Sequence, residues 1–96
     1  MPAYIVLGSW TDQGVRAAKD TVNRFKGVEK ALEAIGGKKI GMWWTLGQYD
    51  FVFIFSAPDD ETATRLLITV GTQGNVRTHT MRCFSEDEAA RIVQGV

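Results

Sequence analysis

The stretch Trp44–Phe55, WTLGQYDFVFIF, holds two strongly apolar segments separated by Gly47, Gln48, Tyr49 and Asp50. The segment upstream, KKIGMWWTL (Lys38–Leu46), and the one downstream, YDFVFIFSA (Tyr49–Ala57), read as strands, and so short a connection forces them into a β-hairpin. Side chains alternate along a strand, so Phe51, Phe53 and Phe55 share one face while Val52 and Ile54 share the other. A strand that is apolar on both faces belongs inside a sheet that is covered on both sides.

Working outward, AYIVLGSW (Ala3–Trp10) is a second two-sided strand signal. Thr11 and Asp12 follow it as N-cap candidates. Val15, Ala18, Val22, Phe25, Leu32 and Ile35 then recur at roughly helical spacing. A fresh cap at Asp20-Thr21 marks a possible break, and Gly36-Gly37 ends the helix because glycine readily takes the left-handed cap conformation. After the hairpin, PDDET (Pro58–Thr62) places proline and acids in the first turn of another helix. Ala63, Leu66, Leu67 and Val70 give it an apolar face, and Gly71 and Gly74 punctuate its end. NVRTHTMRCF (Asn75–Phe84) is a last strand, and Ser85 with Glu88 forms a capping box for a short terminal helix.

The order β-α-β-β-α-β is the split βαβ of a ferredoxin-like α+β fold. Right-handed crossovers place strand three between strands one and two, giving a four-stranded antiparallel sheet of order 4-1-3-2 with both long helices on one face. Residues 1–96 form a single domain in this reading, with no repeat or linker. Helices on one face leave the other apolar face open. The economical cover is the same face of another copy, so a homodimer or higher homo-oligomer is expected.

Composition narrows the function classes. The 96 residues carry 11 basic and 11 acidic side chains, a formal net charge of zero, which argues against a nucleic-acid partner. No apolar run approaches the roughly 18 residues of a membrane span, and the N-terminus lacks the pattern of a signal peptide, so no membrane association and a cytoplasmic location are expected. One cysteine, Cys83, excludes an intrachain disulfide, and one histidine with one cysteine cannot supply a structural zinc site. No P-loop or dinucleotide fingerprint is present, so neither metal nor organic cofactor is expected.

The topology gathers three polar segments at one end of the sheet: WTDQG (Trp10–Gly14), LGQYD (Leu46–Asp50) and GNVRT (Gly74–Thr78). Together with APDD (Ala57–Asp60), these motifs resemble the GYD domain family, whose Gly-Tyr-Asp signature reads here as Gly47-Gln48-Tyr49-Asp50. The resemblance covers nearly the whole chain. It implies a fold similar to the ferredoxin-like one, often compared with dimeric α/β barrels, and it speaks to fold rather than activity. Relatives often carry proline where Val22 stands, so the break at Asp20-Thr21 rests on the cap residues alone.

Each residue at this end has a structural and a functional reading. Gly47 suits a turn, Asp50 can cap it, and Arg77 can pair with Asp50 or Asp12 across the small Gly8. As a binding site, Trp10, Thr11, Asp12, Trp44, Asn75 and Arg77 would hold a small, partly aromatic or anionic ligand. As an enzyme without metal or organic cofactor, of isomerase, monooxygenase or lyase type, Asp50 or His79 would be the base and Tyr49 a hydrogen-bond donor on a small oxygenated compound. A structural or regulatory interaction module is the third reading. Trp43 and Trp44, adjacent in a strand, face opposite sides, so only one can join the helix-side core.

Overall fold

The computed structural model describes residues 1–96. Its elements are β1 (Ala3–Trp10), α1 (Asp12–Arg16), a 3-10 turn (Ala18–Asp20), α2 (Thr21–Ala34), β2 (Lys38–Trp44), β3 (Phe51–Ser56), α3 (Asp60–Thr72), β4 (Val76–Cys83) and α4 (Glu86–Gln94). The strands form one sheet of order β2-β3-β1-β4, antiparallel throughout. This is the 4-1-3-2 order read from the other edge. The helical stretch after β1 divides where the cap residues suggested: α1 ends at Arg16, and α2 begins at Thr21 after the 3-10 turn.

Local signals account for the boundaries. Thr11, extended at φ −75° and ψ 174°, caps α1 by accepting the N–H of Gly14. Asp59 caps α3 by accepting the N–H of Thr62, and Ser85 and Glu88 complete a reciprocal capping box on α4. Gly36, at φ 85°, stops α2. The hairpin differs from the expectation of a four-residue break. Its connection runs over six residues, 45–50, because Thr45 and Leu46 leave the ladder before the turn and Tyr49 and Asp50 enter it late.

Alternation along the strands sorts the core. Tyr4, Val6, Phe51, Phe53 and Phe55 lie on the face covered by α2 and α3, where Leu32, Ala63 and Leu66 meet them. Phe53 stacks on Phe55 at 5.1 Å, and Phe25 of α2 stands edge-on to Phe53 at 5.0 Å. The opposite face holds Ile5, Leu7, Val52 and Ile54, none of them buried. The molecule is only 18 Å in its least dimension, the thickness of one sheet and one helical layer. No residue of α4 is buried, so the terminal helix does not close the open face.

Candidate functional site

The three polar segments meet at the end of the sheet where β1 finishes. The backbone N–H of Thr11 donates to the carbonyl of Asn75 at 3.1 Å, and its hydroxyl donates to the carbonyl of Gly74 at 2.5 Å. The Gln13 amide donates to Gln73 O and to Asn75 Oδ1, both at 3.0 Å. Gly14 is buried under this seam, and a β-carbon there would lie 1.9 Å from the Asn75 carbonyl oxygen. Only glycine lets α1 approach so closely. From the hairpin side, Asp50 donates its N–H to Gly8 O at 2.8 Å and accepts the N–H of Trp10 on Oδ2 at 2.8 Å. Within the connection, Thr45 donates its N–H to Asp50 O and its hydroxyl to Tyr49 O. Gly47, at φ 131°, makes a turn that other residues resist.

Arg77 is exposed and makes no ion pair; the chain's two pairs are Lys39–Glu29 and Arg65–Glu61. The structural reading of Arg77, a pair with Asp50 or Asp12, is therefore not realised. The register explains why. Arg77 lies opposite Ser9 on β4, Asp50 precedes the Phe51 partner of Gly8 on the far side of β1, and the Asp50 carboxylate turns inward to Trp10 N–H. Asp12 stands exposed in the first turn of α1. Asn75 contributes its carbonyl and its side-chain oxygen to the seam with Thr11 and Gln13.

The aromatic residues divide by face. Trp44 lies opposite Phe51 and points to the helices, where its indole N–H donates to Thr21 Oγ1 at 3.2 Å and its ring meets Phe25 edge-on. Trp43 points to the open face, in one row with Val52, Leu7 and His79, and is 53% exposed. Tyr49 leans over that row, with its ring edge-on to His79 at 6.0 Å between centroids. The indole nitrogen of Trp10 is buried without a hydrogen-bond partner. No group of three or more His, Cys, Asp or Glu residues comes together as a metal would require.

Beside the seam, on the helix side, α2 and α3 part and leave a slot of about 70 Å³. Val6, Phe51 and Phe53 form its floor, and Phe25, Leu67 and Val70 its walls. Thr21, Arg24, Gln73 and Asn75 supply the polar rim. Arg24 is half-buried; its guanidinium donates to Ala17 O at 2.7 Å and to Gly14 O at 3.3 Å, and meets no carboxylate. Sequence reasoning missed this group, because a slot is a failure of two helices to close and has no motif.

Sequence reasoning also missed Tyr4 and Asp60. The Tyr4 hydroxyl donates to Asp60 Oδ1 at 2.5 Å, tying β1 to the first turn of α3. Burial, with the Asp60 carboxylate close by, pushes the Tyr4 phenol up to about 12. The available signal was the doubled acid of APDD, since Asp59 alone suffices for the cap.

Three further observations bear on what the molecule does. No helix is long and apolar enough to cross a membrane. The open face carries Met81, 50% exposed, beside Ile5 and Ile54, and α4 carries Ile92 and Val93 uncovered. The third is comparison with known proteins. A protein of Thermus thermophilus described as a glutamine synthetase and cystathionine beta-lyase binding protein is 34% identical over 85 residues, 88% of this chain and 90% of that one. A feast or famine regulatory protein from M. tuberculosis, solved with L-methionine, matches with a TM-score of 0.67 at 16% identity over 88% of this chain, which spans 51% of that protein. A hypothetical protein from Pyrococcus horikoshii matches with a TM-score of 0.56 at 14% identity, covering 90% of this chain and 93% of that one. These two likenesses share the four-stranded fold. The GYD domain model matches residues 4–93, and with that match over nearly its whole length the chain belongs to the GYD domain family.

Proposed function

We propose that this chain is a small binding module that works as a homo-oligomer, in the simplest case a dimer, and has no chemistry of its own. One observation carries the reading: the sheet face bearing Ile5, Leu7, Val52, Ile54, Met81 and Trp43 presents apolar residues from all four strands, bordered by His79 and Arg77 on β4, and is covered by nothing. Apolar surface of this kind marks an interaction site. A two-fold axis would set the face against itself, the self-complementary arrangement that closes at two copies.

The likeness to a protein described as binding glutamine synthetase and cystathionine beta-lyase supports an enzyme as the partner of the assembled module. At the clasped end Trp10, Thr11, Asp12, Trp44 and Asn75 would take a small ligand that is apolar in one part, whereas Arg77, opposite Ser9 and facing the same way as Leu7 and His79, lies on the open face away from Trp44. A free thiol at Cys83 suits a cytoplasmic setting. Binding is better supported than catalysis. Asp50 has committed one carboxylate oxygen to Trp10 N–H, and Tyr49 and His79 meet through ring edges rather than a hydrogen bond.

Light scattering on the eluting peak of a sizing column tests the reading. At micromolar concentration the mass should be at least twice the 10.6 kDa of one chain. Ile54→Glu, which sets a charge in the centre of the open face, should return it to one chain with the helical spectrum intact. A wild-type protein eluting as a single chain would sink the proposal.

A further inference from the structure

We infer that the slot between α2 and α3 is a binding site for a small branched monocarboxylate, of the 2-oxo acid type, with Arg24 as its anion anchor. The slot shares only Asn75 with the clasped end, and the inference goes beyond the proposed function.

Size sets the apolar part. A cavity of about 150 Å³ lined by aliphatic and aromatic groups takes benzene. The slot is about 70 Å³, less than half of that, so its depth matches a short aliphatic group rather than a ring. Its floor and walls are almost wholly apolar, so such a group gains by leaving water, while water gains nothing by entering.

Charge sets the polar part. The Arg24 guanidinium is already fixed by the carbonyls of Gly14 and Ala17, so little side-chain freedom remains to be lost on binding. Those carbonyls neutralise no charge, and no acidic residue lines the slot. One cation without a counter-ion at the mouth of an apolar slot selects one negative charge. Asn75 on the rim has its side-chain oxygen occupied by Gln13, which leaves its amide N–H groups to donate to a second oxygen on the ligand. An α-amino acid fits less well, because its ammonium would meet Arg24 and find no carboxylate on the rim.

The test is titration of the full chain with 4-methyl-2-oxopentanoate, followed by backbone amide NMR and calorimetry. Shifts should gather at Thr21–Val28, Leu66–Val70 and Asn75. Leucine, which differs by an ammonium in place of the oxo group, should bind at least about tenfold more weakly. Arg24→Gln should weaken the oxo acid by about 10- to 100-fold, the range of a charge-assisted hydrogen bond. Val70→Phe, which fills the slot and leaves Arg24 in place, should abolish binding while keeping the fold, and it guards against Arg24→Gln failing to fold. No binding at millimolar oxo acid, equal binding of leucine, or unchanged binding by Val70→Phe would each overturn the inference. Sizing of the same samples separates the two proposals. A dimer that ignores the oxo acid rejects only the slot, and a single chain that binds it rejects only self-association.

Discussion

The carboxylate of Asp50 and the backbone N–H of Trp10 are joined at 2.8 Å across forty residues of sequence, so the hairpin turn is pinned to the end of β1. The bond satisfies an N–H at the point where β1 leaves its ladder. Replacing Asp50 by Ala orphans that donor. The expected cost is about 1–3 kcal/mol, a fall in Tm of several degrees for a domain of this size. Asp50→Asn keeps an acceptor oxygen and should cost about half as much. Thermal unfolding of both variants checks the order, and equal melting of wild type and Asp50→Ala would show the bond to be idle.

The seam between α1 and the 73–75 segment makes a second prediction. Gly14→Ala puts a methyl group 1.9 Å from the Asn75 carbonyl oxygen, which is backbone and cannot rotate aside. Either α1 lifts from β1 or the Thr11–Asn75 bond breaks. Overpacking of this sort costs about 1–3 kcal/mol. Gly27→Ala, where a new methyl group meets nothing within 4 Å, is the control and should be neutral or stabilising. Denaturant midpoints of the two variants should move in opposite directions or differ by more than the error of the method.

Much of this was legible in the chain, and the reason is locality. Caps at Thr11 and Ser85, the stop at Gly36 and the alternation of Phe51, Phe53 and Phe55 each depend on neighbours a few residues away, whereas α3 starts at Asp60 with Asp59 as its cap, so Pro58 lies outside the first turn where it was expected. The sheet order then followed from handedness alone. What escaped depends on side-chain direction. Arg77 and Asp50 come to the same end of the sheet but on opposite sides of β1, and the Asp50 carboxylate turns inward to the Trp10 N–H, a backbone donor that must find a partner. Which of Trp43 and Trp44 joins the core was set by the six-residue connection that places Trp44 opposite Phe51. The Arg24 slot had no sequence signature, because it is made where α2 and α3 part above the sheet.

Tyr4 and Asp60 give a pH prediction. The phenol is pushed from 10.0 up to about 12 in the folded protein by burial first and by the Asp60 carboxylate second. The folded state therefore holds the proton more tightly than the unfolded state. This contribution to stability is fully present below pH 10 and is lost as pH rises through about 12. Urea midpoints of the wild type should fall over this window more steeply than those of Tyr4→Phe. The variant should also lose about 1 kcal/mol at neutral pH from the missing hydrogen bond. Parallel profiles for the two proteins would remove Tyr4 from the alkaline transition.

The last prediction concerns α4, which is held by its capping box and buries nothing. Ser85 Oγ accepts Glu88 N–H at 3.2 Å, and the Glu88 carboxylate accepts Ser85 N–H at 2.9 Å. That second bond, with the Ser85 side chain next and the Arg82 and Arg91 charges after it, holds the Glu88 carboxyl below its ordinary value of 4.5. The folded helix therefore holds its proton less tightly than the unfolded segment. The stabilisation is present above pH 4.5 and is lost as pH falls through the lower folded value. Acid should fray α4 before it touches the sheet. Ser85→Ala should do the same at neutral pH, since loss of such a cap costs a helix about 1 kcal/mol. Amide exchange is the measurement, because it reads local opening residue by residue. Exchange should quicken across Glu86–Gln94 and stay unchanged in β1 and β3. Faster exchange throughout the sheet would mean instead that α4 belongs to the cooperative unit, which would require its exposed Ile92 and Val93 to be packed against a partner in solution.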